Sequence, residues 1–101
     1  MSQFDVFRNR RSNEFPLLVD VQSDLHENLT TRLVLPLMAR TPLTATRTRL
    51  TPVVNVLGSE YIVVTTLAAA VSRAGLGSPI GSLADQRPTL IAALDILITG
   101  S

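Results

Sequence analysis

Polar and apolar residues alternate with a period of two along much of the first two thirds of the chain. Residues 3–8 follow this pattern, which is typical of a strand with one buried face. Residues with branched β-carbons are concentrated between positions 53 and 66, which favours strands over helix. Five strands are predicted in this way, over residues 3–8, 16–21, 31–37, 50–57 and 60–66.

Turn-forming residues separate these predicted strands. The polar stretch 9–14 indicates a hairpin between the first two strands. The third strand is expected to end near Pro36, and residues 38–48, with a proline and four threonines, are expected to form an irregular loop. Gly58 and Ser59 predict a tight turn into the fifth strand.

The last third of the chain has a different pattern. Residues 67–71 are rich in alanine and favour a short helical segment, and residues 74–82 have room for one short edge strand. A longer helix is predicted after Asp85 as its N-cap, with Pro88 at the third helical position and Gly100 as its end. The apolar positions that predict it are Leu90, Ile91, Leu94, Leu97 and Ile98.

These elements predict a mainly β fold, a small antiparallel barrel with one C-terminal α-helix. The chain has 101 residues and no internal repeat, so a single domain over residues 1–101 is expected. Within it, residues 1–82 are predicted to form the barrel with its loops, and residues 83–101 the helix and its end.

The composition favours self-association and gives no indication of nucleic-acid binding, membrane insertion or disulfide formation. The chain is 46% hydrophobic and 17% charged, and a short chain with this aliphatic surplus leaves apolar surface for a partner subunit. A net charge of +1, with all nine basic residues arginine, gives no general attraction to nucleic acid. The absence of cysteine excludes disulfides. Residues 61–71 are too short to span a bilayer and no signal-peptide pattern is seen, so we expect a soluble intracellular protein with no membrane contact.

Few residues are candidates for catalysis. His26 is the only histidine and lies in a polar loop, where an exposed side chain is the ordinary outcome. The carboxylates to be considered as an acid–base pair are Asp20, Asp24, Glu27 and Asp95. Structural or solvated roles are favoured for them, since their spacing indicates neither a catalytic pair nor a metal site. We therefore predict that the protein is not an enzyme and has no catalytic residues, no cofactor and no metal.

Six segments, taken in order, resemble one family of bacterial proteins. They are residues 4–7 (FDVF), 18–25 (LVDVQSDL), 32–37 (RLVLPL), 50–56 (LTPVVNV), 64–71 (VTTLAAAV) and 90–97 (LIAALDIL). The most specific of them is VDVQSD at residues 19–24. In the order and spacing of these segments, and in length, the chain resembles the CcdB family of toxins.

The resemblance implies the toxin of a type II toxin–antitoxin module. Its fold would be the Src-homology-3-like barrel with a C-terminal helix that the Kid and MazF ribonuclease toxins share, in a homodimer. Such toxins bind the A subunit of DNA gyrase and trap the enzyme with cleaved DNA, which is binding and needs no catalytic residues. A CcdA-type antitoxin neutralises them, and operator DNA is contacted only through the toxin–antitoxin complex. The resemblance also implies the bacterial cytoplasm.

The family's gyrase contacts come from the end of the helix and from the loop after the VDVQSD block. The corresponding residues here are Asp95, Ile98, Thr99, Gly100 and Ser101 at the helix end and Leu25 and His26 in the loop. The best-known member of the family has an aromatic residue in place of Thr99 and an isoleucine in place of Ser101. Because aromatic anchors commonly dominate interface energy, the resemblance predicts a weakened toxin.

Two other functions remain open from the sequence. The same fold serves ribonuclease toxins of the MazF type, and fold alone does not determine function. An inactive homologue that still binds antitoxin is the third possibility. For the homodimer, residues 61–71 and the apolar face of the helix are the expected contributors.

Overall fold

Seven antiparallel strands and one C-terminal α-helix make up the part of the chain that the computed structural model describes, residues 2–26, 28–42 and 48–100. The strands are β1 (Asp5–Arg8), β2 (Leu17–Asp20), β3 (Thr31–Ala39), β4 (Val53–Val56), β5 (Ser59–Val63), β6 (Ala69–Ser72) and β7 (Gly81–Ser82), and the helix is α1 (Arg87–Thr99). Short 3-10 helices span Asp24–His26, Thr65–Leu67, Arg73–Gly75 and Ala84–Gln86. The predicted fold class, mainly β with a single C-terminal helix, is confirmed, and so is a short edge strand within residues 74–82.

The strand β3 is the centre of the sheet because both of its edges are paired. One edge pairs with β2, and the other pairs with β6 along the first half of β3 and with β5 along the second. Beyond β5 lies β4, and beyond β2 lie β1 and β7, so the sheet curls into a nearly closed barrel. The barrel is filled by inward side chains at alternate positions, among them Val6, Val19, Leu35, Leu37, Val54 and Val63.

Pro36 does not end the third strand, contrary to our prediction, and β3 continues to Ala39. The carbonyl of Pro36 accepts a hydrogen bond from the N–H of Val64 at 2.9 Å. Val64 lies between β5 and β6, so the backbone of Pro36 faces the gap between these two neighbours of β3. No ladder donor is needed at that point, and the missing N–H of proline therefore costs β3 nothing.

The alanine-rich segment after residue 66 is a strand rather than the predicted helical segment. A single 3-10 turn, Thr65–Leu67, is followed by β6, in which Ala69 pairs with Val34 and Ser72 with Thr31. Alanine has a high helix propensity, but four residues are too few to nucleate a helix in water. The free edge of β3 offers them a complete hydrogen-bond ladder, which decides the outcome.

The β4–β5 hairpin turns at Leu57 and Gly58, one residue earlier than predicted. Val56 pairs with Ser59, and the two turn residues have φ angles of 52° and 86°. Two consecutive left-handed residues are typical of a type I′ turn, for which Asn-Gly is the preferred pair. Gly58 adopts a left-handed conformation without strain, whereas Leu57 is strained there because its β-carbon crowds the backbone.

Replacing Leu57 by asparagine is expected to raise the free energy of unfolding by about 0.5–1 kcal/mol, because asparagine tolerates the left-handed conformation better than leucine. The side chain of Leu57 is 74% exposed, so little apolar burial is lost. Urea unfolding of the purified chain measures the change. A fall in stability would contradict it and would mean that packing of Leu57 beside Gly81 outweighs the strain.

Helix α1 begins one residue later than predicted, because its N-cap is Gln86 and not Asp85. Asp85 lies in the 3-10 turn Ala84–Gln86, Gln86 is the N-cap, and Pro88 takes the second helical position instead of the third. The first helical N–H groups have no partner within the helix, so proline is accommodated there. The predicted end at Gly100 is confirmed.

The buried Leu90 and Ala93 face the barrel, where α1 contacts the 3-10 turn Thr65–Leu67. With 13 residues, α1 is the longest helix in the described part of the chain. No helix among the described residues is both long enough and apolar enough to cross a membrane.

Candidate functional site

The last turn of α1 forms an exposed, well-defined end, which we call the helix tip (Asp95 and residues 98–100). Gly100 adopts a left-handed conformation with φ of 77°, and its N–H donates to the carbonyl of Ile96 at 2.9 Å. This is the usual glycine C-cap, which stops the helix at Thr99. Ile98 is 78% exposed and therefore presents an apolar side chain to solvent at the tip.

The two polar residues of the helix tip are positioned by one hydrogen bond. The hydroxyl of Thr99 donates to the carbonyl oxygen of Asp95 at 2.6 Å, one turn earlier. The side chain of Thr99 is thus turned back along the helix, while Asp95 is exposed. Ser101 lies outside the described residues.

The predicted loop site is a 3-10 turn, Asp24–His26, which we call the Leu25 turn. Leu25 is 91% exposed, and its N–H donates to the hydroxyl of Ser23 at 3.2 Å. Leu25 therefore presents an apolar side chain to solvent from a short ordered turn. His26 is the last residue of the turn, and its side chain lies outside what the structure describes.

A buried ion pair holds the chain that leads into the Leu25 turn. The Nε of Arg32 on β3 lies 2.8 Å from Oδ2 of Asp20 on β2, and both side chains are completely buried. The other carboxylate oxygen of Asp20 accepts the N–H of Gln22 at 2.9 Å, and Nη2 of Arg32 donates to the carbonyl of Gln22 at 3.0 Å. The ion pair therefore binds both the N–H and the carbonyl of Gln22, two residues before the turn.

The same arginine reaches the turn itself. Its Nη2 lies 3.7 Å from Oδ1 of Asp24, and that oxygen also accepts the N–H of Gln3 at 2.8 Å. Nη1 of Arg32 is buried without a hydrogen-bond partner among the described residues. Burying the guanidinium of Arg32 with one N–H group unpaired costs desolvation free energy, which its contacts with Asp20, Gln22 and Asp24 offset.

The Leu25 turn and the helix tip lie apart in the structure. Gln3, whose N–H is bound to Asp24, accepts a hydrogen bond at its side-chain oxygen from Arg87, the first residue of α1, at 3.1 Å. The turn is therefore linked to the start of α1, whereas the tip is at its other end, about 18 Å further along a helix of this length. The structure brings the described tip residues together and leaves the Leu25 turn as a second exposed set.

The described carboxylates that were considered for acid–base chemistry lie in two places. Asp20 and Asp24 both contact Arg32, at 2.8 Å and 3.7 Å, whereas Asp95 is exposed on α1. Glu27 lies outside the described residues. No cluster of three or more metal-ligating side chains occurs in the described ranges.

A comparison with known protein families identifies the family to which the chain belongs. The family model described as CcdB protein matches residues 3–100 of the chain. The chain belongs to the CcdB family. The resemblance carried by the six sequence segments is thereby confirmed, and membership places the chain, in general terms, among the toxins of the CcdAB toxin–antitoxin system.

In this CcdB family member, the buried role of Arg32 was not predicted from the sequence, and Asp20 was predicted only as a candidate acid. The available signal was an arginine inside the otherwise apolar run 32–37, on the face opposite to Leu33, Leu35 and Leu37. The pairing register that puts Arg32 beside Asp20 joins residues 12 positions apart. A pattern along the chain does not contain that register.

Proposed function

We propose that this CcdB family member poisons DNA gyrase by binding its A subunit through the helix tip and holding the enzyme on cleaved DNA. The observation that carries the proposal is the exposed Ile98 at the end of a helix with a defined glycine cap. A large apolar side chain fixed on a rigid element loses little conformational entropy when it binds, so most of its contact energy is retained.

The Leu25 turn is proposed as a second contact for gyrase, with Leu25 and His26 as its residues. The buried Arg32 is a positioning residue for it, because it holds both the backbone before the turn and the carboxylate of Asp24. We infer that this support keeps the exposed leucine in one place and so limits the entropy lost on binding.

Poisoning is expected to be weak. The hydroxyl of Thr99 is engaged with the helix backbone, and a threonine offers far less contact area than an aromatic side chain. Ser101 adds no apolar surface in place of an isoleucine. Ile98 is then the main apolar contact at the helix tip, together with the backbone around Gly100.

Partners of the toxin are proposed from family membership and from exposed apolar side chains. A CcdA-type antitoxin would neutralise the protein, with operator DNA bound only by the toxin–antitoxin complex in the bacterial cytoplasm. A homodimer is supported by Leu67 and Leu97, which are partly exposed on two elements in contact with each other. Poisoning is a binding event, so no catalytic group is assigned.

Replacing Ser101 by isoleucine is expected to strengthen growth inhibition, so that about tenfold less inducer gives the same effect, because an apolar side chain at the tip adds buried contact area. The measurement is growth of a gyrase-sensitive bacterium after induction, with and without a CcdA-type antitoxin. The antitoxin should restore growth for both proteins.

The matched control is Ser78→Ile, which adds the same side chain at an exposed serine away from the helix tip. Equal inhibition by Ser101→Ile and Ser78→Ile would contradict a role of the tip. Cleavage of RNA by the purified protein would instead favour a ribonuclease of the MazF type, and antitoxin binding without growth inhibition by either variant would identify an inactive homologue.

A further inference from the structure

The first turn of the chain, residues 2–5, contains a strained residue. Phe4 has a φ of 70°, in the left-handed region that residues with a β-carbon rarely adopt, and its side chain is only 3% exposed. The N–H of Asp5 donates to the carbonyl of Ser2 at 3.1 Å, which closes a β-turn with Phe4 in its third position. A positive φ at this position alone is typical of a type II turn, where glycine is the usual residue. Such strain persists only where the surrounding contacts fix the backbone.

The backbone of Phe4 is fixed on both sides. Its N–H donates to the carbonyl of Asp20 at the end of β2, and its carbonyl accepts a hydrogen bond from the N–H of Leu83, shortly before α1, at 2.8 Å. The preceding residue, Gln3, is therefore held between the chain that follows β2 and the start of α1.

Gln3 connects α1 with the Leu25 turn. Its Oε1 accepts a hydrogen bond from Nη1 of Arg87 at 3.1 Å, and its Nε2 donates to the carbonyl of Val21 at 3.1 Å. Its backbone N–H donates to Oδ1 of Asp24 at 2.8 Å. Because Arg87 is the first residue of α1 and Asp24 the first residue of the turn, Gln3 joins the two elements by two hydrogen bonds.

The side chain of Arg87 is ordered by a second contact. Its guanidinium lies 5.7 Å from the centroid of the Phe4 ring, within the range of a cation–π interaction. Since this contact already restricts the long side chain, the hydrogen bond to Gln3 costs little further conformational entropy. The middle of α1 is packed against the barrel through fully buried side chains, whereas the Leu25 turn is exposed. The helix is therefore the fixed element, and the hydrogen bonds that start from it restrain the turn.

We propose that Arg87 is a positioning residue for the Leu25 turn and that it acts through Gln3. By restraining the turn from a rigid helix, it lowers the conformational entropy that Leu25 loses when a partner binds. The expected effect on gyrase rests on the proposed function, in which Leu25 contacts the A subunit. Arg87 lies outside both proposed contacts, at the opposite end of α1 from the helix tip.

The first measurement uses the free, full chain and needs no gyrase. NMR relaxation of the backbone N–H groups should give Leu25 an order parameter of about 0.85, the value of a rigid backbone, and Arg87→Met should lower it toward about 0.6, where a backbone is flexible. Gln3→Met should lower it as well, and adding Arg87→Met to Gln3→Met should lower it no further, because the two residues act in series.

Arg40→Met is the matched control. It breaks an exposed arginine–glutamate contact of 3.2 Å on the other side of β3, and it should leave the order parameter of Leu25 unchanged. The positioning role is wrong if Arg87→Met leaves this order parameter at the value of the original chain. A further fall when both substitutions are combined would show that Arg87 does not act through Gln3.

The second measurement is calorimetric titration of the purified gyrase A subunit. Arg87→Met is expected to weaken binding about threefold, the size typical of one exposed charged contact. It should have no effect in a chain that already carries Leu25→Ala, because the side chain that it positions is then gone. A loss that persists in the Leu25→Ala chain would overturn the positioning role and would mean that Arg87 contacts gyrase itself. If the original chain does not bind the A subunit, the proposed function is wrong, and the order parameter of Leu25 still decides the role of Arg87.

Discussion

Replacing Arg32 by methionine is expected to lower the free energy of unfolding by about 3–5 kcal/mol, the cost typical of removing one partner from a buried ion pair. Arg32 and Asp20 are both completely buried and lie 2.8 Å apart. Methionine fills a similar volume but leaves the Asp20 carboxylate in the interior without its cation. Globular domains are stable by only about 5–15 kcal/mol, so a loss of this size is a large share of the total.

Urea unfolding of the purified chain measures this change, and two further variants identify its cause. Arg40→Met removes an arginine from the half-exposed pair with Glu60 at 3.2 Å, and a loss of less than about 1 kcal/mol is expected there. Adding Asp20→Asn to Arg32→Met should recover part of the stability, because the uncompensated charge is then gone. Equal losses for Arg32→Met and Arg40→Met, or no recovery in the double variant, would contradict the account of the buried pair.

The second large effect is expected at the helix tip. Ile98→Ala should weaken binding of the gyrase A subunit by at least about 2 kcal/mol, roughly thirtyfold, since a central apolar anchor commonly carries this much of an interface. The same change should alter the free energy of unfolding by less than about 0.5 kcal/mol, because Ile98 is 78% exposed. Calorimetric titration of the purified A subunit with each protein measures the affinity.

Leu57→Asn is the matched control for this prediction. It removes an apolar side chain of similar exposure, 74%, from the β4–β5 turn, outside both proposed gyrase contacts. Its affinity for the A subunit should equal that of the original chain. Equal affinities for Ile98→Ala and Leu57→Asn would remove the tip from the gyrase interface.

Most of the fold could be predicted from the alternation of polar and apolar residues along the chain. The wrong predictions occurred where pairing across the sheet decided the structure. Residues 69–72 have helix-forming side chains, yet the free edge of β3 makes them a strand. Pro36 looks like a strand end until the change of neighbour at that point is known. The deciding partner is 35 to 41 positions away for residues 69–72 and 28 positions away for Pro36, beyond the reach of any local pattern.

The candidate site also has one part that could be predicted from the sequence and one part that could not. The glycine at position 100 predicts where the helix ends, and the exposed Ile98 lies in its last turn. The support of the Leu25 turn by Arg32 could not be predicted, because it depends on the β2–β3 register and on the direction of one long side chain.

The central claim is that this CcdB family member acts by trapping gyrase on cleaved DNA. The most direct measurement incubates purified gyrase and supercoiled plasmid with increasing amounts of the protein, stops the reaction with denaturant and quantifies linear DNA. We expect linear DNA to rise above the level of gyrase alone, more steeply for Ser101→Ile, and to return to that level for Ile98→Ala. No linear DNA above that level with either the original chain or Ser101→Ile would contradict the claim.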